Sequence, residues 1–188
     1  MLVVPEREQL PVQEARAGES AAWDILFRRY QLPLYVYVFE LAHHEQTALD
    51  IVQETFISAA RHIHGLQDDG KFGSWLFSIA HQKCVQLWRK QGRERDFLAE
   101  QSGAPLEFED APSDLLIRKE QEEAFMQLIA ALPLPQRSAL LLHFVEEFSL
   151  EEIAAITSAG LGTVKSRMHY AKKALRKLIE EQSHENTP

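Results

Sequence analysis

The sequence predicts an all-α protein made of two small helical domains joined by a flexible acidic linker. Apolar residues recur at helical spacing in both halves of the chain, and no segment shows the alternating pattern of a strand. Between the halves, residues 96–114 combine Gly, two Pro and repeated acids, which is typical of an extended linker. We therefore expect domains over residues 1–95 and 119–182, a linker over 96–118 and a tail over 183–188.

The first domain begins with two predicted helices. One follows Ser20, a candidate N-cap, and its apolar residues are spaced i, i+3, i+4, i+7: Trp23, Leu26, Phe27 and Tyr30. The other starts near Thr47 and has two distinct faces. Its apolar stripe contains Ala48, Val52, Thr55, Phe56, Ala59 and Ile63. The opposite side contains Asp50, Gln53, Glu54, Ile57 and Arg61.

A third helix is predicted from about Gly73 to Arg95, with an apolar stripe of Phe72, Trp75, Leu76 and Ile79. Trp75 lies in that stripe and is expected to anchor the core. Trp88 lies off it, so packing against a partner and contact with DNA both remain open. The C-terminal end is a basic patch of Arg89, Lys90, Arg93 and Arg95.

After the linker, four helical segments with short breaks are predicted between Leu128 and Ile179. Ser149 to Glu152 has the S-x-x-E spacing of a capping box, and residues 157–160 form a turn before a basic helix. Short helix, turn and basic helix together indicate a helix-turn-helix, whose second helix enters the major groove of DNA. Ala159 is expected to be the N-cap of this second helix, about 1 kcal/mol weaker than a Ser cap.

The overall composition excludes several classes of protein. A single cysteine, Cys84, permits neither an intramolecular disulfide nor a Cys-rich zinc site or iron–sulfur cluster. The eight His residues, among them His43, His44, His62 and His64, form no HExxH or comparable ligand pattern, so we expect no metal and no cofactor. Neither a signal peptide nor a membrane span is predicted, and we expect the protein in the cytoplasm.

Charge along the chain is more informative than the net charge of −8, which by itself argues against binding nucleic acid. Residues 71–95 carry 6 basic groups and 1 acidic group, and residues 161–178 carry 6 basic groups and no acid. A binding surface depends on its local field, so these two basic islands indicate two DNA contacts in an otherwise acidic chain.

Both domains resemble the extracytoplasmic-function (ECF) group of bacterial RNA polymerase sigma factors. Residues 132–178 resemble the family's region 4, most specifically in the string GTVKSR at 162–167. Residues 48–56 (ALDIVQETF) resemble region 2.2, and residues 72–93 resemble regions 2.3 and 2.4. The resemblance spans roughly residues 15–180 and implies a sigma region 2 bundle and a region 4 helix-turn-helix. It also implies a non-catalytic factor that directs RNA polymerase to promoters.

The resemblance assigns roles to residues in three groups. Docking on the clamp helices of core polymerase is implied for Asp50, Gln53 and Glu54, and the implied partner is core polymerase with its β and β′ subunits. For the −10 element the loop from about Gln67 to Lys71 is implied to engage the non-template strand, together with Lys71, Gln82, Gln86, Arg89, Lys90 and Arg93. For the −35 element the implied residues are Arg137, Thr163, Lys165, Ser166, Arg167, His169, Tyr170 and Lys173.

Two questions stay open from the sequence. The linker acids Glu100, Glu107, Glu109, Asp110 and Asp114 either mimic phosphates on basic polymerase surfaces or only keep a tether in solution. The alternative function is a sigma-like mimic, or a helix-turn-helix regulator, that acts through an anti-sigma protein. An anti-sigma factor is an expected partner in either case, and the basic residues in both DNA-facing segments favour the sigma factor.

Overall fold

The computed structural model describes residues 10–90 and 128–185, and only the backbone of Val145 and of residues 178–185. Within these ranges the secondary structure is helical with no strand, which confirms the all-α prediction. The predicted linker, its five acids and the basic Arg93 and Arg95 lie outside the described residues. The chain divides into two compact units, residues 1–84 and 85–188.

The first unit contains helices α1 (Val12–Arg16), α2 (Ser20–Ala42) and α3 (Glu45–His62). Two 3₁₀ turns follow, Ile63–Gly65 and Asp69–Lys71, and the second leads directly into α4 (Phe72–Lys90). The boundary between the two units falls within α4, after Cys84.

Helix ends in the first unit are set by local chemistry. Ser20 is the first residue of α2 and Glu19 occupies the N-cap without a side-chain bond, so the predicted Ser20 cap is wrong by one residue. His43 ends α2 in the left-handed conformation, with φ of 50°. The His44 imidazole then caps α3 by accepting from the Thr47 amide at 3.2 Å. Only two residues, each with a role at a helix end, therefore separate α2 from α3.

The core of the first unit is built from one face of each long helix. All six residues of the predicted α3 stripe are buried. They pack with the buried face of α2, which includes Leu26, Tyr30, Leu34 and Tyr37. Inside this core the Tyr37 hydroxyl and His81 Nδ1 are hydrogen bonded at 2.8 Å, which gives two buried polar groups a partner.

The buried face of α4 is rotated from the predicted one. Its fully or nearly fully buried residues are Phe72, Leu76, Phe77, Ala80, Cys84 and Trp88. Trp75 and Ile79, predicted in the stripe, are only half-buried. Trp88 is 4% exposed, so neither surface role left open for it fits, and it is a buried anchor instead. The buried positions of α4 recur at every fourth residue, and some of them hold small side chains such as Ala80.

The described part of the second unit after residue 127 begins with helical residues 128–130 and continues with α5 (Leu134–Glu146), α6 (Leu150–Thr157) and α7 (Leu161–Glu185). The predicted capping box on α6 is confirmed. The Ser149 hydroxyl accepts from the Glu152 amide at 3.2 Å, and the Glu152 carboxylate accepts from the Ser149 amide at 2.9 Å. Ser158, with φ of 52°, ends α6 and starts the turn to α7.

Candidate nucleic-acid interface

Helix α7 has a buried side and an exposed basic side. Val164, Met168, Ala171 and Leu175 are spaced four, three and four residues apart and are all buried. At 100° per residue, Ser166, His169, Tyr170 and Lys173 lie on the opposite side. All four are exposed. The helix is therefore held by one stripe, and its other side presents to solvent three of the predicted base-facing residues together with Lys173, which is predicted to contact a phosphate.

The exposed side of α7 offers several chemistries to a DNA groove. Thr163 and Lys165 are exposed near the helix N-terminus, where the backbone amides favour a phosphate. The Tyr170 side chain is 57% exposed, and its ring lies edge-to-face with the His169 ring at 5.5 Å between centroids. Arg167 is half-buried. This set combines hydroxyl, imidazole and ammonium groups that can hydrogen bond to base edges or phosphates.

The start of α7 differs from the prediction. The helix begins at Leu161, and the first helical hydrogen bond runs from the Val164 amide to the Gly160 carbonyl at 3.0 Å. Gly160 therefore occupies the N-cap, and the assignment of Ala159 to that place is wrong by one residue. Gly is only a few tenths of a kcal/mol weaker than Ser as an N-cap, so the predicted defect of about 1 kcal/mol disappears with it.

Arg137, predicted to contact a phosphate, is half-buried and already bonded within the protein. Its Nη2 donates to the carbonyl oxygens of Ala130 and Leu132, the latter at 3.1 Å. Ala130 is the last of the helical residues 128–130 and Leu132 lies two residues beyond it, at a helix end where carbonyls lack intrahelical donors. Arg137 thus joins that segment to the first turn of α5.

The second basic island lies on α4. Gln82, Gln86, Arg89 and Lys90 are exposed and are spaced so that they follow one side of the helix. Lys71 is exposed in the second 3₁₀ turn, with its Nζ 3.9 Å from an Asp68 carboxylate oxygen. The predicted Arg93 lies beyond the described end of this helix. The loop that contains Lys71 therefore leads directly into the helix that carries the other exposed residues of this group.

The outer face of α3 carries the residues predicted to meet polymerase. Asp50, Gln53 and Glu54 are all exposed. Asp50 accepts a hydrogen bond from Gln46 at 2.9 Å, and Glu54 pairs with Lys83 of α4 at 2.9 Å. Leu49 and Ile57 on the same helix are 47% and 44% exposed. The face thus combines acid, amide and apolar groups, a mixture suited to a protein partner.

Sequence reasoning did not identify Leu49 or Lys83. Leu49 is one turn before Gln53, and an exposed Leu close to a polar face was a usable signal. The Glu54–Lys83 pair joins residues 29 positions apart, and no local pattern marks it. Its two side chains are 64% and 24% exposed, so this ion pair positions side chains more than it stabilises the fold.

The remaining chemistry of the described residues is sparse. Among them no group of three His, Cys, Asp or Glu side chains is placed to hold a metal ion. Burial raises the pKa of the Cys84 thiol from 9.0 to about 12, which keeps it protonated and unreactive at neutral pH. None of the described helices is long and apolar enough to cross a membrane.

Comparisons with known proteins match both units. Family models for Sigma-70 region 2 and for Sigma-70 region 4 match residues 26–94 and 122–175. The chain is 30% identical to the RNA polymerase sigma-H factor of Pseudomonas aeruginosa over 95% of this chain and 97% of that protein. It is 29% identical to the ECF RNA polymerase sigma-E factor of Escherichia coli K12 over 92% and 94% of the two chains.

Solved structures give the same architecture. The sigma factor RpoE of Bartonella quintana, in complex with the anti-sigma factor NepR, matches with a TM-score of 0.60 and 26% identity over 82% of this chain and 96% of that one. CnrH in complex with the cytosolic domain of CnrY matches with a TM-score of 0.66 over 90% of this chain and 95% of that chain. The second match is 22% identical and shows a likeness of fold alone.

Proposed function

This chain belongs to the sigma-70 family of RNA polymerase sigma factors, in its ECF group, and from that membership we propose that it is an alternative sigma factor. It binds core RNA polymerase and directs initiation at promoters with a particular −10 and −35 element. Sigma factors are transcription initiation factors, and we propose that the chain contributes no catalytic residue of its own. Its place of action is the cytoplasm, where polymerase and chromosome meet.

The two-sided α7 carries this proposal. A helix-turn-helix needs a second helix whose inner side is fixed and whose outer side is free to enter a groove. Ser166, His169 and Tyr170 are exposed opposite the buried stripe, and we propose that they read −35 bases together with Lys165. Thr163, Arg167 and Lys173 contact the phosphates on either side. Arg137 remains predicted to approach a phosphate, although its Nη2 is already bonded to two carbonyls.

We assign the −10 element to the loop and the exposed side of α4. The loop over residues 67–71 contacts the non-template strand. Extruding a base from that strand costs a few kcal/mol of stacking free energy, and contacts between the base and the loop must offset this cost. Gln82 and Gln86 extend the contact along the helix. Lys71, Arg89, Lys90 and Arg93 supply positive charge for the backbone.

We assign the outer face of α3 to core polymerase. Asp50, Gln53 and Glu54 are exposed there beside Leu49 and Ile57, so a partner can bury apolar area and satisfy the polar groups around it. The Glu54–Lys83 pair holds one of these carboxylates in a defined position before docking. Because the Glu54–Lys83 pair joins α3 to α4 within the first unit, polymerase docking also orients the part of the −10 surface that precedes residue 85.

An anti-sigma factor is the second proposed partner. The RpoE relative is solved with the anti-sigma factor NepR, and that relative matches 82% of this chain. A protein that covers the polymerase face and the basic surfaces would keep the sigma factor inactive. The mimic alternative would need the same partner but no promoter-reading residues, and the exposed basic side of α7 favours the sigma factor.

In vitro transcription with purified bacterial core polymerase and genomic DNA that includes the chain's own operon tests the proposal. We expect binding to core polymerase and run-off transcripts from a small set of promoters. His169→Ala/Tyr170→Ala should abolish initiation while leaving core affinity unchanged. Asp50→Ala/Gln53→Ala should lower core affinity and leave promoter preference unchanged. Absence of core binding, or binding without any specific transcript, would contradict the proposal.

A further inference from the structure

Arg16 of α1 joins the N-terminal segment to the loop that precedes α4. Its Nη2 donates to the Leu66 carbonyl oxygen at 3.1 Å and to an Asp69 carboxylate oxygen at 2.5 Å. Its Nε lies 3.5 Å from the Ile63 carbonyl oxygen. The three acceptors are 47 to 53 positions away along the chain. One guanidinium group thus contacts both 3₁₀ turns and Leu66, one of the three residues between them.

Helix α1 provides a fixed base for this guanidinium. Val12 and Ala15 are 1% and 2% exposed, so α1 is packed firmly on the rest of the first unit. The Trp23 indole of α2 donates to the Ala15 carbonyl at 3.0 Å. The Trp23 ring also lies 6.5 Å from the Phe72 ring, edge to face, at the start of α4. The base of Arg16 and the start of α4 are therefore held by the same tryptophan.

The hydrogen bonds within the loop act only locally. The Leu66 amide donates to the Ile63 carbonyl at 3.1 Å, which closes the first turn. An Asp68 carboxylate oxygen accepts from the Gly70 amide at 3.0 Å, and the Lys71 amide donates to the Asp68 carbonyl, which closes the second. Arg16 bonds to both turns and so fixes how one turn is placed relative to the other.

The side chains of the loop divide accordingly. Leu66 and Asp69 are half-buried on the side that Arg16 contacts. Gln67, Asp68 and Lys71 are exposed and available to a ligand. By bonding the half-buried side of the loop, Arg16 can therefore determine where the exposed side chains of the loop lie, without itself contacting the ligand.

We propose that Arg16 is a positioning residue for −10 recognition, which sets the conformation of the loop over residues 63–71 from a helix that precedes the region 2 match. This inference rests on the proposed sigma function. Arg16 acts through Ile63, Leu66 and Asp69 and makes no contact with DNA itself. Its role requires a guanidinium, because the planar fork bonds several acceptors at once and a lysine ammonium on a flexible stem does not hold that geometry.

Selection of promoter DNA by reconstituted holoenzyme tests the inference. The DNA is randomised at the −10 element in one library and at the −35 element in another, and wild type, Arg16→Ala, Arg16→Lys and Arg28→Ala are compared. Arg28 is an exposed arginine of α2, so its variant matches the loss of charge without disturbing the loop. Affinity for core polymerase and the melting temperature are measured for every variant.

We expect Arg16→Ala to lower discrimination at the −10 element about tenfold, with −35 discrimination and core affinity changed less than twofold. Arg16→Lys should retain the packing of α1 and lose most of the −10 discrimination, and Arg28→Ala should behave like wild type. Unchanged −10 discrimination in a folded Arg16→Lys protein would overturn the inference, as would an equal loss of −10, −35 and core binding. If wild type selects no promoter sequence, the proposed function itself fails.

Discussion

Gly73 is the residue whose replacement tests the packing at the start of α4 most directly. A Cβ at this position would lie 2.8 Å from the Tyr30 hydroxyl oxygen and 3.3 Å from two ring carbons of Tyr30. The tyrosine is 5% exposed, and its ring centroid lies 5.7 Å from that of Phe72. Because the ring is rigid and enclosed, Gly73→Ala must displace either the ring or the first turn of α4.

The expected cost follows from two opposing effects. Overpacking a core by one methyl group costs about 1–3 kcal/mol, whereas Gly→Ala in a helix contributes up to about 1 kcal/mol of stability. Gly73→Ala should therefore lower the free energy of unfolding of the first unit by about 1–2 kcal/mol. Gly65→Ala is the matched control, since nothing lies within 4 Å of its Cβ position, and it should leave stability unchanged or slightly raised.

Tryptophan fluorescence during urea unfolding measures this cost, because two of the three tryptophans, Trp23 and Trp75, lie in the first unit. A double-mutant cycle with Tyr30→Phe isolates the clash with the hydroxyl, and the pair should recover part of the lost stability. A Gly73→Ala protein as stable as wild type would refute the close approach of α4 to Tyr30.

Four further predictions concern the second unit and the buried thiol. Arg137→Ala should lower the free energy of unfolding by about 1–3 kcal/mol, measured by far-UV circular dichroism in urea, because two carbonyls lose their donor; weaker promoter binding at unchanged stability would instead support a phosphate contact. Tyr170→Ala should weaken promoter binding of the holoenzyme by about 1–3 kcal/mol while stability changes by under about 0.5 kcal/mol, and an equal loss on −35 mutant DNA would contradict base contact. Lys173→Ala should weaken binding to all sequences alike and reduce the salt slope by about 1 in a filter-binding titration, whereas a sequence-dependent loss would indicate a base contact. Folding raises the pKa of the Cys84 thiol from 9.0 to about 12, so the stability contributed by the buried neutral thiol is full below about pH 9 and is lost as the pH rises toward 12. A thiol reagent should react with Cys84 at pH 8 only after unfolding in urea. Rapid reaction of the native protein would refute the burial of this side chain.

Residues with a strong periodic signal were predicted well. The α3 stripe and the capping box of Ser149 and Glu152 follow from spacing alone, because large apolar side chains or a specific cap mark each of them. The outer side of α7 is assigned through the family resemblance. Small and ambiguous residues gave the errors. Ala80 and Cys84 form the core of α4 without a strong apolar signal, and the face was therefore assigned through Ile79.

Contacts between residues far apart in the chain could not be predicted from the sequence pattern. Arg16 and Asp69 are separated by 53 positions, and Lys83 and Glu54 by 29, so no helical or strand period relates them. Arg137 shows a different limit. Its charge suggested a phosphate, but its position near the end of residues 128–130 gives it a capping role that depends on the path of the backbone. The roles assigned to the individual site residues stay predictions.

The division of α7 into two sides has a consequence for how such proteins diversify. Val164, Met168, Ala171 and Leu175 keep the helix in place, and none of the base-facing residues belongs to that group. Substitutions at exposed positions away from caps and cores usually change stability by less than about 0.5 kcal/mol. Duplicated copies of the gene can therefore accumulate changes at 166, 169 and 170 and acquire new promoters while the fold keeps its stability.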